Sequence, residues 1–201
     1  MDVELIPLSH LTETDVKRLA VLHHSVMHTL LSDLGLPIVL RYYQIARGDA
    51  SVLGICALNS SNEVLGWAIG SPHPDKINSR LRTPFVWFLM QLFRLVFARP
   101  FVLWQLVSSV VSSSTEIEMK RDSIELTYIG VALNHRSIGL GKDLLNAFIE
   151  KCREKGYQSI FLSVETDNKP AIALYEKLGF KIIKTYSEGR YQRRRMELIL
   201  E

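Results

Sequence analysis

The stretch VALNHRSIGLGK, residues 131–142, joins a predicted strand to a predicted helix. The strand, SIELTYIGVAL, begins at Ser123, and the helix ends at Gly156. The apolar face of that helix consists of Leu140, Leu144, Leu145, Phe148 and Cys152. A glycine-containing turn before a helix leaves backbone N–H groups without partners, and the helix dipole adds partial positive charge. Because Arg136 and Lys142 add full charges, the stretch predicts an anion site suited to a pyrophosphate.

The glycine spacing excludes two common nucleotide-binding motifs. The dinucleotide fingerprint G-x-G-x-x-G requires glycine at position 144, which is Leu144. The Walker loop G-x-x-x-x-G-K-[ST] requires glycine where Arg136 stands and a hydroxyl residue where Asp143 stands. The pattern that remains is V-x-x-x-x-R-x-x-G-x-G after a strand. By itself this pattern fits a phosphate-binding turn and a glycine-rich helix start without a ligand equally well.

A second motif, NKPAIALYEKLGF, begins at Asn168. Its positions that match N-x-x-A-x-x-L-Y-x-K-x-G-F are Asn168, Ala171, Leu174, Tyr175, Lys177, Gly179 and Phe180. Together the two motifs resemble those of the GNAT superfamily of N-acetyltransferases, whose elements follow the same order of strand, loop, helix, strand, Asn, helix and strand. The resemblance covers residues 123–200, is compatible with 1–71, and leaves 72–121 outside the common core.

The resemblance implies an α/β (α+β) fold with a mixed, twisted sheet, splayed central strands and flanking helices. Upstream of the motifs, the residue patterns predict strands at 3–8, 51–58 and 63–70, a helix from Thr12 that Gly35 and Pro37 stop, a helix over 38–46, and a proline-rich loop over 72–84. A length of 201 residues without a repeat or linker suits one domain, 1–201, with a helical insertion at 72–121.

The resemblance also implies that the chain binds acetyl-CoA as its acyl donor and needs no metal. Main-chain groups of Ile129 and Val131 would bind the pantetheine amides, and a backbone N–H there would polarise the acetyl carbonyl. The pyrophosphate would be held by Arg136, Ser137, Ile138, Gly139, Leu140, Gly141 and Lys142. Asn168 would bind the pantetheine region and tie the splayed strands together; its alternative role is a plain helix cap.

By the same resemblance, Tyr175 would protonate the departing thiolate as general acid; the alternative is an aromatic side chain packed on its helix. Superfamily members often carry a carboxylate on the strand that leads to the loop, so Glu125 is the first choice for general base. Its alternative is a solvated edge carboxylate. Weaker choices are Glu165, Tyr128 and His135, and a water chain would need no single base.

The block FVWFLMQLFRLVFARPFVLWQLVSSVV, residues 85–111, is the most apolar part of the chain. Arg94, Arg99 and Pro100 near its middle oppose a single membrane span, since each central Arg costs about 2.5–3.5 kcal/mol. Two interpretations remain: a helical hairpin that covers the acceptor side or forms a homodimer, and an interfacial element in peripheral contact with a membrane. The insertion, together with Leu34-Gly35 and Leu40-Arg41-Tyr42-Tyr43 in the early helix, resembles members found with bacterial polysaccharide biosynthesis, which implies an amino-sugar acceptor.

Composition and residue spacing disfavour disulfide-rich, secreted, metal-binding and nucleic-acid-binding proteins. Two cysteines are too few for a disulfide scaffold, and the N-terminus lacks a signal-peptide pattern, so we expect a cytoplasmic protein. His24 and His28 have helical spacing but no accompanying carboxylate, which disfavours a metal site. The tail is basic, but it lacks a base-stacking motif, so we expect a solvated face rather than nucleic-acid binding. Its cationic residues are Lys181, Lys184, Arg190, Arg193, Arg194 and Arg195.

These observations lead to one main hypothesis and two alternatives. The main hypothesis is an N-acetyltransferase that moves an acetyl group from acetyl-CoA to a small-molecule primary amine by direct attack in a ternary complex. One alternative is a noncatalytic, acyl-CoA-binding or membrane-associated module with the same fold. The other is a protein N-terminal acetyltransferase, although many of these carry Glu where this chain has Ser163.

Overall fold

The structure, a computed structural model, describes residues 3–98, 122–188 and 191–200. The strands are β1 (Val3–Pro7), β2 (Leu53–Asn59), β3 (Val64–Ser71), β4 (Ser123–Val131), β5 (Ser159–Glu165), β6 (Lys181–Glu188) and β7 (Tyr191–Ile199). The helices are α1 (Glu13–Val26), α2 (Leu30–Asp33), α3 (Leu36–Arg47), α4 (Pro74–Leu81), α5 (Phe85–Ala98), α6 (Leu140–Glu154) and α7 (Lys169–Lys177). Short 3-10 turns occupy Leu8–His10 and Leu133–His135.

The strands form one mixed sheet in the order β1-β2-β3-β4-β5-β7-β6. β4 and β5 are parallel, and the other neighbouring pairs are antiparallel. The predicted mixed sheet flanked by helices is therefore confirmed. Within the described residues no helix combines the length and the apolar character needed to cross a membrane. The second half of the predicted insertion, residues 99–121, lies outside the described residues.

The parallel strands pair over a short distance and then part. The ladder between β4 and β5 runs from Ser123↔Ser159 to Leu126↔Leu162. Beyond that point β4 continues along β3 as far as Val131, while β5 continues along β7 as far as Glu165. We call the segments 127–131 of β4 and 163–165 of β5 the fork, and it matches the expected splay of the central strands.

A β-bulge at the start of the fork reverses which side chains face which layer. The pairing of β4 with β3 shifts between Ile69 and Gly70, which leaves Thr127 as the extra residue on β4. Before the bulge, Leu126 packs in the core beneath α6, whereas after it Tyr128 packs in the core beneath α1 and α3. The extra residue thus turns Tyr128 towards the opposite face of the sheet.

Each face of the sheet has its own core. One contains α6 and α7 with side chains such as Leu144, Phe148 and Ile160; the other contains α1, α3 and α4 with Tyr43 and Trp67. Helix α1 begins with a capping box, in which Thr12 and Asp15 accept each other's backbone N–H. The predicted start of this helix is confirmed, but its predicted end near Gly35 is wrong, because α1 ends at Val26 and α2 is separate. The helix predicted over 38–46 is confirmed.

The predicted loop over 72–84 is wrong, because α4 occupies Pro74–Leu81. Pro74 stands at the first helical position, where its missing N–H would have no intrahelical acceptor and its fixed φ favours the helix. Ile77 and Leu81 are buried against α3 and the sheet. The prolines therefore begin a helix here rather than preventing one.

Candidate active site

The segment from Arg136 to Lys142, which we call the anion loop, follows β4 and leads into α6. Ser137 has φ +65° and Gly139 has φ +93°, so the chain passes twice through the left-handed region. For Ser137 this conformation costs roughly 1 kcal/mol, whereas Gly139 accepts it without strain.

Several consecutive backbone donors in the anion loop have no acceptor. Among the described residues, no group accepts from the N–H groups of Ser137, Ile138, Gly139, Leu140 and Gly141. The next two N–H groups, of Lys142 and Asp143, both donate to the carbonyl of Gly139. Five free donors at the N-terminus of a 15-residue helix provide partial positive charge for an anion.

The packing around Gly141 supports a ligand rather than a structural reason for glycine. A Cβ at this position would lie 3.7 Å from Cγ2 of Val131, an ordinary contact. Alanine would therefore fit, and it would favour the helix by about 0.5–1 kcal/mol. Glycine keeps the space in front of the free amides open. The exposed side chains of Arg136 and Lys142 border this loop, and Nε of Arg136 donates to the carbonyl of Val131 at 3.3 Å.

The fork offers two strand edges that do not pair with each other. Ile129 and Val131 lie on β4 beyond its last pair with β5, and they remain paired with β3 on the other side. An extended ligand that adds to an open strand edge gains main-chain hydrogen bonds there. The expected pantetheine-binding positions therefore lie on an edge that is suited to this role.

Asn168 caps the N-terminus of α7, a role that is compatible with binding a ligand. Its Oδ1 accepts the N–H of Ala171 at 3.3 Å, and its own N–H donates to the carbonyl of Glu165 at 3.1 Å. The Nδ2 group makes no hydrogen bond to any described residue, and the side chain is exposed just beyond the end of β5. The cap therefore leaves an amide donor free beside the fork.

Tyr175 combines a packed ring with a free hydroxyl. It is 6% exposed, and its ring centroid lies 5.7 Å from that of Phe180. Burial raises the pKa of Tyr175 well above 10, so the hydroxyl is protonated at neutral pH. Within the described residues this hydroxyl makes no hydrogen bond. It is thus available as a proton donor, as the general-acid hypothesis requires.

Glu125 is held by an arginine from the C-terminal strand. Nη2 of Arg195 donates to Oε2 of Glu125 at 3.1 Å, and Nη1 donates to Oε1. Arg195 is only 7% exposed, so the prediction of a solvated face is wrong for this residue. The sequence does not distinguish Arg195 from the two arginines before it. Its contact with Glu125 joins residues 70 positions apart and depends on the strand order.

The other suggested bases lie at different points around the fork. Tyr128 lies on the β4 arm, Glu165 ends β5, and His135 lies in the 3-10 turn before the anion loop. Nδ1 of His135 is 2.8 Å from Oδ1 of Asn134. Within the described residues, no three His, Cys, Asp or Glu side chains form a group that could hold a metal ion.

An aromatic cluster supports the β4 arm of the fork from beneath. It consists of His23, Tyr42, Tyr43, Trp67 and Tyr128. The imidazole Nδ1 of His23 lies 2.7 Å from the hydroxyl of Tyr43, and burial, then the charge of His24, lowers the pKa of His23 to about 3. No sequence motif marks this cluster, because its members come from two helices and two strands that are distant in the chain.

Comparison with known proteins agrees with this geometry. Residues 24–180 match the sequence pattern of the Acetyltransferase (GNAT) family. The chain is similar to mycothiol acetyltransferase of Corynebacterium aurimucosum, with 42% identity over 62 residues, which is 31% of this chain and 20% of that protein. It is also similar to the probable N-acetyltransferase family 8 member 5 of Mus musculus, with 32% identity over 34% of this chain and 30% of that protein. This chain therefore spans less than a third of the length of either relative.

Solved structures share the fold at low sequence identity. The acetyltransferase yncA of Salmonella typhimurium with acetyl-CoA has a TM-score of 0.63 and 15% identity, covering 100% of this chain and 95% of that one. The ribosomal-protein-S18-alanine N-acetyltransferase of Escherichia coli has a TM-score of 0.60 and 16% identity, covering 98% and 94%. At these identities the likeness concerns the fold alone.

Proposed function

Because this chain belongs to the GNAT acetyltransferase family, we propose that it transfers an acetyl group from acetyl-CoA to a small-molecule primary amine. The single observation that carries the proposal is the run of five free backbone donors in the anion loop. These donors begin a helix directly after an open strand edge, which is suited to a diphosphate on an extended chain. The glycine at 141, which packing does not require, agrees with a ligand at this position.

In the binding step, the loop donors and the charges of Arg136 and Lys142 hold the diphosphate of acetyl-CoA. Main-chain groups of Ile129 and Val131 bind the pantetheine amides, and Asn168 offers its Nδ2 group from the other arm of the fork. The thioester supplies an activated acetyl group. A backbone N–H of β4 directed at its carbonyl stabilises the charge that develops there, by about 3 kcal/mol for a well-placed donor.

In the chemical step, the amine nitrogen attacks the carbonyl carbon directly while both substrates are bound. The carbon–sulfur bond breaks, and the hydroxyl of Tyr175 gives its proton to the departing thiolate. Glu125 takes the proton that the amine loses, either directly or through water. Its two-point pairing with Arg195 orients this carboxylate at the base of the fork.

For the acceptor we propose an amino sugar. The support is the sequence likeness of the insertion to members found with polysaccharide biosynthesis. Mycothiol acetyltransferases among the relatives show that matching segments occur in enzymes that act on small molecules. A protein N-terminus is the second choice, and it is disfavoured because Ser163 stands where many such enzymes carry Glu.

For the insertion we propose a contact surface that includes α5. Phe85, Val86 and Phe93 are exposed on this helix, whereas Trp87 and Phe88 pack against the core of α1 and α3. A homodimer or a peripheral membrane contact would bury the exposed side chains. Light scattering detects the dimer, and flotation with anionic and neutral liposomes detects the membrane contact.

The proposed activity is tested by release of free thiol from acetyl-CoA with a panel of amino sugars, polyamines and N-terminal peptides. We expect turnover with at least one small amine and none without an acceptor. Binding of acetyl-CoA without turnover across the whole panel would instead identify a noncatalytic binding module. Turnover with peptides alone would select the protein N-terminal acetyltransferase.

A further inference from the structure

Arg195 joins three strands at the base of the fork. Its guanidinium donates to both carboxylate oxygens of Glu125 on β4 and to Oγ of Ser163 on β5, the latter at 3.1 Å. Its Cζ lies 5.3 Å from the ring centroid of Phe161. The hydroxyl of Tyr186 on β6 also donates to Oγ of Ser163, at 2.9 Å. The contacts therefore extend from β4 across β5 and β7 to β6.

These contacts lie where the parallel ladder ends. The last pair of β4 with β5 is Leu126↔Leu162, so Glu125 lies immediately before the opening and Ser163 immediately after it. Leu126 and Leu162 face the core beneath α6, and the alternation along each strand turns Glu125 and Ser163 to the opposite face. Arg195 therefore bridges the two strands on the face opposite α6.

The chemistry of the pair fits a holding role. A guanidinium has no lone pair available to accept a proton, so Arg195 itself cannot serve as a base. Its planar fork of donors matches a carboxylate at two points and fixes the direction of that carboxylate, which a lysine ammonium does not do. Each carboxylate oxygen keeps a further lone pair that can accept a proton.

We propose that Arg195 is a positioning residue that acts through Glu125. It holds the carboxylate at the opening of the fork in the one orientation from which Glu125 receives the proton lost by the amine nitrogen. This inference rests on the proposed function and on Glu125 as its base. Binding of acetyl-CoA does not depend on this contact, since the anion loop and the edge of β4 lie beyond it.

The test compares Arg195→Lys, Glu125→Gln and the double variant in the full chain. Arg195→Lys keeps the charge but loses the two-point contact, and we expect kcat to fall by about ten- to a hundredfold, the size of a small misplacement of a reacting group. The Kd of acetyl-CoA, measured by calorimetry, stays unchanged. Because Arg195 acts through Glu125, the double variant has the kcat of Glu125→Gln alone.

A matched control is Arg153→Lys, since Arg153 pairs with Glu150 on the exposed surface of α6, and we expect its kcat to equal that of the wild type. Ser163→Ala provides a second route if Arg195→Lys does not fold. It removes the hydrogen bond from the guanidinium to Ser163 and keeps the ion pair with Glu125. We therefore expect kcat to fall by about threefold, the size of one hydrogen bond. In a Glu125→Gln background, Ser163→Ala should leave kcat unchanged.

Three results would overturn the inference. Unchanged kcat in Arg195→Lys excludes a positioning role, and losses that multiply in the double variant show that Arg195 acts independently of Glu125. If Ser163→Ala lowers kcat equally in the wild-type and Glu125→Gln backgrounds, the contact likewise acts independently of Glu125. Wild-type protein that binds no acetyl-CoA would remove the proposed function as well, whereas binding and turnover with an unaffected Arg195→Lys would remove this inference alone.

Discussion

From Ser137 to Gly141 in the anion loop, no described group accepts from the backbone N–H groups, and a Cβ on Gly139 or Gly141 would have space, whereas in the sheet a Cβ on Gly70 or Gly130 would meet an aromatic ring. A Cβ on Gly141 would make only an ordinary contact, but a Cβ on Gly130 would lie 2.5 Å from the ring of Trp67. Glycine therefore has two different structural roles in this chain. At Gly141 it leaves open the space in which we propose that the diphosphate binds, and at Gly130 it leaves space for the ring of Trp67.

The largest expected effect concerns the chemical step at the fork. Tyr175→Phe removes a hydroxyl that makes no hydrogen bond within the described residues, so stability changes little. We expect kcat to fall by about a hundredfold or more, as for loss of a positioned acid. Steady-state kinetics with an established acceptor and calorimetry with acetyl-CoA measure the two effects separately. Unchanged turnover would exclude Tyr175 from the mechanism.

The glycine beneath the aromatic ring gives the next largest effect. Gly130→Ala forces Trp67 or β4 to move, so we expect the free energy of unfolding to fall by about 2 kcal/mol, as for overpacking of a core. Urea unfolding followed by tryptophan fluorescence measures this change. A variant as stable as the wild type would show that the contact between Trp67 and β4 is looser than the structure indicates.

A third prediction concerns pH and the aromatic cluster. Burial lowers the pKa of His23 to about 3, whereas in the unfolded chain it is near 6.5. The unfolded state therefore binds the proton more tightly, so this contribution is constant above pH 6.5 and is lost as the pH falls towards 3. As the pH falls from 6.5 to 5, we expect the free energy of unfolding to fall with a slope that steepens to about 1.4 kcal/mol per pH unit.

The control for this pH dependence is His23→Gln, which removes the titrating group. Its unfolding free energy is lower near neutral pH, because the contact with Tyr43 is altered, but its slope between pH 6.5 and 5 is flatter than that of the wild type. Equal slopes in the two proteins would show that folding does not change the pKa of His23.

The smallest effect is at the ligand-side glycine. Gly141→Ala favours α6, so we expect stability to be equal or higher, while the added methyl group weakens acetyl-CoA binding by about fivefold, the size of one hydrogen bond. Calorimetry and urea unfolding on the same preparation measure both changes. A lower free energy of unfolding with unchanged acetyl-CoA affinity would show that Gly141, like Gly130, is required by packing and not by a ligand.

The two regions also differ in how far the sequence predicts them. The anion loop and Asn168 lie in short motifs, because strand, turn and helix start are adjacent in the chain, so the sequence alone identifies both as candidate binding positions. The partners of Glu125 and His23 could not be predicted, since Arg195 approaches Glu125 only through the strand order, and Tyr43 and Trp67 approach His23 only through the packing of α1 and α3 on the sheet. The prolines in residues 72–84 predict a loop, but Pro74 begins α4, because proline also fits the first position of a helix.

The central claim is that the anion loop and the open edge of β4 bind a coenzyme A thioester. Titration calorimetry of the folded full chain with acetyl-CoA and free CoA tests it directly, with Arg136→Glu as the comparison. We predict saturable binding of about one molecule per chain, and strong weakening in Arg136→Glu because a carboxylate would then face the diphosphate. No heat with either compound, or equal affinity in Arg136→Glu, would contradict the account.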